Sequence, residues 1–354
     1  MPNPKFTKPW HGVPRESIDW HPVVDPLLCI GCGTCVTGCS RLVYRFDFQN
    51  NKSVVYDPLN CLVGCTTCAN ICPSGAISFP SKEAIRALQE TPELHDYIWH
   101  ELNDRKAELA LPGTENFPGE GTPYIIAKME RLQDDIILLI LKPEGNKKIN
   151  YTAGQYIAIE VPDSEGMTRD YSIGSAPKED GSIELHVRHV RGGKFTTYVF
   201  EKMKEGETLN IFGPFGEFRF HYEKDVPVIM AAVSTGLAPL KALLEEAFEK
   251  KVRNPIKLYL CAHNAASFYG MDWLKKWKKE NPNFDYYVSL SSPDPNSDWK
   301  GLIGRVHNVI AQNETNLKGY DGYVAGSPKV IKAVIETFQK LGMKNERIFY
   351  DIAG

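Results

Sequence analysis

Eight of the nine cysteines in this 354-residue chain fall between Cys29 and Cys72, and only Cys261 lies elsewhere. They form two runs. Cys29, Cys32, Cys35 and Cys39 are spaced C-x2-C-x2-C-x3-C; Cys61, Cys65, Cys68 and Cys72 are spaced C-x3-C-x2-C-x3-C, and Pro73 follows. Three thiolates two or three residues apart wrap one face of a cubane iron–sulfur cluster, while the fourth points away and suits a second cluster. Crossed ligation follows, with Cys29, Cys32, Cys35 and Cys72 on one [4Fe-4S] cluster and Cys61, Cys65, Cys68 and Cys39 on the other. Disulfides would require an oxidising compartment, and structural zinc typically uses two C-x2-C pairs rather than two runs of four.

Over roughly residues 20–82 this pattern resembles a bacterial-type two-cluster ferredoxin. LVYRFD (42–47) and SVVYD (53–57) predict the hairpin such ferredoxins carry, and Gly75-Ala76-Ile77 follows the last cysteine as it does there. Two departures mark the set of Cys39, Cys61, Cys65 and Cys68: an extra residue between Cys61 and Cys65, and Ser40 rather than proline after Cys39. A different cluster type is the alternative there.

A second group of motifs lies beyond the cysteines. Arg169-Asp170-Tyr171-Ser172 stands in a strand-like stretch, followed by Gly192-Gly193-Lys194-Phe195-Thr196 and then Gly213-Pro214-Phe215-Gly216-Glu217-Phe218. In that order they resemble the R-x-Y-S signature, the glycine-rich turn and the G-P-x-G-x-F strand of ferredoxin-NADP+ reductase-type flavoproteins. The resemblance implies that Arg169 binds the flavin phosphate through its guanidinium fork. It also implies that Tyr171 packs on the isoalloxazine and Ser172 lies near the flavin N5, which makes these two the catalytic candidates. Gly192, Gly193 and Thr196 would meet the flavin pyrophosphate at a helix start. The flavin expected is FAD, with FMN the alternative.

Residues 231–240, AAVSTGLAPL, read as a buried strand, a turn and a helix start at Pro239, leaving N–H groups around Thr235 and Gly236 to cradle a dinucleotide pyrophosphate. The family writes G-G-T-G-I-A-P here; Val233-Ser234 replaces its paired glycines and narrows the room for backbone approach. Ala325-Gly326-Ser327-Pro328 matches its C-G-P-P turn, with Ala325 where a cysteine often stands beside the nicotinamide. After the third parallel strand, where NADPH-using relatives place an arginine, the chain reads Ser291-Ser292-Pro293-Asp294, which favours NADH over NADPH, although Lys300 and Arg305 lie nearby. Cys261 ends an apolar strand and is given no role beyond packing. The final R-I-F-Y-D resembles the last strand of NADH-dependent reductase subunits, whose terminal aromatic covers the flavin; Tyr350 or Phe349 would take that place, be ordinary edge-strand residues, or leave the face open.

The elements that must position these residues follow from periodicity. Segments 81–89 and 92–109 are helical in pattern, and the Pro- and Gly-rich stretch 112–123 reads as a linker. Between 124 and 225 short strands alternate with turns, predicting a small antiparallel barrel; from 226 onward strands alternate with helices, predicting a parallel sheet covered on both faces. The expected fold class is therefore multidomain: an α+β ferredoxin-like iron–sulfur domain (1–80), a helical linker (81–123), an antiparallel β-barrel flavin domain (124–225) and an α/β parallel-sheet nucleotide domain (226–354).

Forty-one basic against 44 acidic residues, a net charge of −3, leave no basic footprint for a nucleic-acid partner. The longest apolar runs are strand-sized, so the chain is not expected to be integral to a membrane. The first residues lack the apolar core of a secretory signal, and a cytoplasmic location is expected. A hydride carries two electrons and a cubane accepts one, so a flavin belongs between them to divide the pair. The sequence thus reads as an oxidoreductase passing electrons between a nicotinamide dinucleotide, flavin and two [4Fe-4S] clusters, to or from an external electron-transfer protein or redox enzyme complex. The alternatives are a reductase component dedicated to one multi-subunit enzyme, and a non-catalytic electron-relay subunit whose dinucleotide site has decayed.

Overall fold

The computed structural model describes residues 4–89, 91–105, 108, 121–164, 167–222, 226–294 and 299–352. The chain forms two compact units, Met1–Glu115 and Asn116–Gly354. Most of the linker expected at 112–123 lies outside the described residues, as do residues 353 and 354.

The first unit is built from short pieces. Its strands are β1 (Val23–Val24), β2 (Tyr44–Asp47), β3 (Lys52–Val55) and β4 (Ile77–Ser78). β1 pairs antiparallel with β4, and β2 with β3 in the expected hairpin, Tyr44 facing Val55. The Asp47 carboxylate accepts the backbone N–H groups of Gln49 and Asn50 at 2.9 and 3.1 Å, which shapes the hairpin turn. One helical turn lies inside each cysteine run, Thr34–Gly38 and Thr67–Asn70; helices Lys82–Gln89 and Pro92–Asp104 follow as expected. The fully buried hydrophobic cluster is small: Ile18, Trp20, Val43, Tyr44, Ile77 and Ile85, together with Cys35 and Cys61. A core this size stabilises a domain only marginally, so the cysteines inside it must contribute through whatever they hold.

The second unit carries two six-stranded sheets. β5 (Thr122–Gln133), β6 (Ile136–Pro143), β7 (Tyr156–Glu160), β8 (Thr168–Ser172), β9 (Ile183–Arg188) and β10 (Thr208–Phe215) form an antiparallel sheet in the order β8-β7-β10-β5-β6-β9. β10, the last of these in the chain, sits in the middle of the sheet between β7 and β5. The other sheet is parallel: β11 (Val228–Val233), β12 (Ile256–Ala262), β13 (Phe284–Leu290), β14 (Leu302–Ile303), β15 (Asp321–Gly326) and β16 (Ile348–Ile352), in the order β14-β13-β12-β11-β15-β16.

Strand period two explains the burial of the parallel sheet on both faces. Val228, Met230 and Ala232 of β11 join one core, with Leu240, Leu243 and Leu274 from helices Leu237–Glu249 and Met271–Glu280. Ile229 and Ala231 join the opposite core, with Val309, Ile310, Val334 and Phe338 from helices Val306–Asn313 and Pro328–Lys340. Each of these buried Val, Ile, Leu, Met and Phe side chains stabilises the fold by about 1.5–3 kcal/mol. The strand order reverses between β11 and β15, and the crevice beyond their carboxyl ends is where a ligand binds in sheets of this kind.

Candidate functional site

β8 presents the R-D-Y-S residues along one edge of the antiparallel sheet, paired only to β7. Arg169 faces Ile159 across the ladder and donates from Nη1 to the Thr168 carbonyl at 2.9 Å. Asp170 is raised above the usual carboxylate range by burial, with Arg169 opposing. Tyr171 lies against Phe195, ring centroids 5.3 Å apart, and burial pushes its hydroxyl above the usual range. The Ser172 hydroxyl donates to Asp351 Oδ2 at 2.6 Å. Asp351 belongs to β16, and burial raises its carboxyl while Ser172 partly counters the shift.

The glycine-rich turn opens helix Lys194–Glu201, with Gly193 as its N-cap and Gly192 at φ 76°. Gly193 has no room for a side chain, since an added Cβ would stand 2.8 Å from Thr196 Oγ1 and 3.2 Å from the Val190 carbonyl oxygen. The Thr196 hydroxyl accepts from the Val190 N–H and donates back toward the Val190 carbonyl, both at 3.1 Å. Its hydroxyl is therefore committed to folding the turn, and the orphan N–H groups of the helix start are what the turn offers to an anion.

At the carboxyl end of β11, Ser234–Gly236 makes a single 3-10 turn into helix Leu237–Glu249, where Pro239 occupies the first turn and sacrifices no hydrogen bond. Of the two residues standing in for glycines, Val233 is extended, but Ser234 takes φ 52°, the left-handed region that glycine enters at no steric cost. The Ser234 carbonyl accepts from the Tyr269 hydroxyl at 3.4 Å. Gly236 packs directly on β15: a Cβ there would stand 2.4 Å from the Ala325 oxygen and 3.1 Å from the Gly326 nitrogen. Gly326 itself sits at φ 152° before helix Pro328–Lys340.

The helix behind this turn also holds the segment after β8 and strand β9. Buried Lys241 donates to the Gly174 carbonyl at 3.0 Å and pairs with Glu184 at 2.9 Å, and Glu245 accepts the Ala176 N–H at 3.1 Å.

Other expected features fall as follows. Ser292 and Asp294 are exposed beyond β13, as are Lys300 and Arg305. Cys261 is buried at the end of β12, its thiol directed to the Ala262 and Gly304 carbonyls. Half-buried Phe349 packs against Tyr323 at 5.1 Å and His221 at 4.4 Å, whereas Tyr350 is 52% exposed.

In the first unit the thiols sort across the two runs. Burial, reinforced by Cys65, Cys68 and Cys39, pushes the Cys61 thiol up to about 12. Burial likewise raises Cys68, with Cys65 and Cys39 adding to it. Cys35 is raised by burial and by Cys32 and Cys29; exposed Cys32 is lowered by Thr34, with Cys72 opposing. Cys39 thus bears electrostatically on Cys61 and Cys68, and Cys72 on Cys32.

Among the described residues no three His, Cys, Asp or Glu side chains converge as ligands of one metal ion would. A cubane is bulkier than an ion, and thiols flanking it stand correspondingly further apart. The eight thiols of the two runs are free, and several of them lie in or against one small core, so the residues fit a thiolate-ligated cluster.

Three residues around these sites were not singled out from sequence. Asp351 lies within the noted R-I-F-Y-D segment, but its distant partner Ser172 gives no local signal. Arg15 is buried and donates to the Cys61 carbonyl from Nε at 3.2 Å and Nη2 at 3.1 Å. The Tyr44 hydroxyl donates to Cys68 Sγ at 2.9 Å.

Three family descriptions match the chain: a 4Fe-4S dicluster domain over residues 28–76, an oxidoreductase FAD-binding domain over 123–220 and an oxidoreductase NAD-binding domain over 230–336. A CDP-6-deoxy-L-threo-D-glycero-4-hexulose-3-dehydrase reductase from Yersinia pestis is 33% identical over 229 residues, 65% of this chain and 68% of that one. The reductase component 1 of a terephthalate 1,2-dioxygenase from Comamonas sp is 33% identical over 218 residues, 62% of this chain and 64% of that one. Among solved structures, the cytochrome P450 reductase GcoB of Amycolatopsis superposes with a TM-score of 0.61 at 25% identity, covering 66% of this chain and 69% of that one. The chain spans 55–68% of the length of curated relatives that are 32–35% identical to it over the aligned segments.

Proposed function

The chain belongs to the ferredoxin reductase family of FAD- and NAD-binding oxidoreductases, and we propose that it carries electrons from NADH through FAD to two [4Fe-4S] clusters and on to a protein partner. It is an electron-transfer component with FAD-binding, NAD-binding and iron–sulfur domains. One observation carries the reading. Ser172 of the flavin-side strand bonds Asp351, Asp351 pairs with Ala325 in the parallel sheet, and Ala325 is packed against Gly236 of the nucleotide turn. The two candidate cofactor sites thus meet through three contacts.

Bound FAD supplies the exchange between two-electron hydride and one-electron cluster chemistry. This chain's residues do the positioning. Arg169 binds a flavin phosphate, Gly192 and Gly193 open the helix start to the pyrophosphate, and Thr196 holds that turn in shape. Tyr171 covers the ring and excludes water, and Ser172 with Asp351 fixes a proton at Ser172 Oγ. Thr235, Gly236, Pro239 and Gly326 frame the dinucleotide crevice. Cys29, Cys32, Cys35 and Cys72 hold one cluster, in a ferredoxin-like domain over 1–80, and Cys39, Cys61, Cys65 and Cys68 the other. The remaining parts are a helical linker (81–123), a flavin barrel (124–225) and a nucleotide domain (226–354). Clustered thiols of this kind suit a reducing compartment, which supports a cytoplasmic location.

The partner we propose is one terminal redox enzyme, in the way that the Comamonas relative is the reductase component of a dioxygenase. Among the described residues no helix is long and apolar enough to cross a membrane. Exposed Asp294 beyond β13 repels a 2′-phosphate and favours NADH. Steady-state reduction of ferricyanide with NADH and with NADPH tests this: kcat/KM should be about tenfold or more higher with NADH, the equivalent of about 1.4 kcal/mol. Turnover with neither dinucleotide would overturn the functional reading, and equal turnover with both would overturn the preference.

A further inference from the structure

The two cysteine sets are surrounded very differently. Around Cys61 and Cys65 several buried and half-buried donors meet the carbonyls of the cysteine loop. Arg15, 3% exposed, places four hydrogen bonds on carbonyl oxygens: two on Cys61, one on Ile18 at 2.8 Å and one on Trp20. The Trp20 indole donates to the Cys65 carbonyl at 3.3 Å, and Arg41 Nε to the Asn60 carbonyl at 2.5 Å. Tyr44, 2% exposed, donates its hydroxyl to Cys68 Sγ at 2.9 Å. The other set has exposed Cys32 and a partly exposed Lys52, whose ammonium reaches the Cys29 carbonyl at 2.5 Å.

A buried guanidinium costs several kcal/mol unless something anionic offsets it. Among the described residues no carboxylate forms an ion pair with Arg15; what lies beside it is the cysteine loop itself. A cluster bound by four thiolates is anionic and gains a further negative charge on accepting one electron. A fixed cation therefore favours the reduced form, and an O–H···S hydrogen bond does the same by drawing charge from the sulfur.

We propose that Arg15 and Tyr44 are tuning residues that raise the reduction potential of the cluster held by Cys39, Cys61, Cys65 and Cys68, leaving the other cluster's potential to its own surroundings. The inference rests on the two-cluster reading given above. Its consequence is a built-in difference between the clusters: Arg15 acts on one of them, while Tyr44, bonded to Cys68 but also beside Cys35, acts more strongly on that one than on the other.

The test is an anaerobic, EPR-monitored redox titration of the full-length holoprotein as wild type, Tyr44→Phe, Arg15→Lys and Arg15→Met, each with its iron content measured. Arg15→Met should move one cluster signal to lower potential and leave the second in place, Arg15→Lys, which keeps a cation, should shift that same signal less than Arg15→Met, and Tyr44→Phe should lower that signal more than the other. If Arg15→Met loses iron, Tyr44→Phe and Arg15→Lys decide the question. Iron-replete variants that titrate at the wild-type midpoints, or that shift both signals equally, would overturn the inference. A wild type with about four irons per chain instead of about eight would overturn the two-cluster reading itself.

Discussion

Ser172 and Asp351 are 179 residues apart in sequence, yet the serine hydroxyl donates to the aspartate Oδ2 at 2.6 Å. One residue comes from the edge of the antiparallel sheet and the other from the edge of the parallel sheet, so the bond joins the two sheets at the end of the crevice. Burial holds the Asp351 carboxyl above its usual range.

Asp351→Asn should slow flavin reduction by NADH about tenfold, the loss expected when a charge-assisted hydrogen bond of about 1.5–3 kcal/mol is weakened. Stopped-flow single-turnover kinetics measure this, and an unchanged rate would remove Asp351 from the site. The raised carboxyl also sets a pH dependence. Its contribution to stability is fully present below the unfolded value, about 3.9, and is lost as pH rises through the higher folded value. The asparagine variant, neutral throughout, should therefore gain thermal stability relative to wild type as pH rises across that window.

Arg169→Ala should lower flavin occupancy while iron per chain stays constant. A guanidinium–phosphate contact of about 1.5–3 kcal/mol corresponds to about 10- to 150-fold in affinity. Flavin released by denaturation and iron measured on the same sample decide it; a flavin-replete variant would count against the assignment.

Cys72→Ser should cost about half the iron, because it removes the fourth ligand of the cluster otherwise held by Cys29, Cys32 and Cys35. Cys261→Ser should leave iron unchanged, since that thiol faces carbonyls inside the parallel sheet. Full iron in Cys72→Ser would reject crossed ligation.

Gly236→Ala drives a methyl group to within 2.4 Å of the Ala325 oxygen, and backbone has little freedom to retreat. Overpacking of this kind costs about 1–3 kcal/mol. The variant should show a lowered melting temperature and a raised KM for NADH; wild-type values for both would mean that the turn is looser than its packing indicates.

What was legible in the sequence was local. Cysteine spacing, the R-D-Y-S tetrapeptide, the glycine-rich turns and the strand–helix alternation after residue 226 all lie within short windows, where period and spacing report directly on backbone geometry. The hairpin at β2 and β3 and the helices at 82–89 and 92–104 appear where the pattern puts them. Contacts made at long range were not legible. Arg15 donates to Cys61, 46 residues away, and nothing around Arg15 distinguishes it from a surface charge. Ser234 was noted as a departure from glycine, yet only the backbone shows that it, unlike Val233, adopts the left-handed conformation.

The central claim is one continuous electron path from dinucleotide to iron–sulfur cluster. Anaerobic titration of the holoprotein with NADH, following flavin and iron–sulfur absorbance together and finishing with dithionite, tests it most directly. The account predicts that NADH bleaches the flavin and then the cluster absorbance; flavin and clusters that respond to dithionite but not to NADH would contradict it.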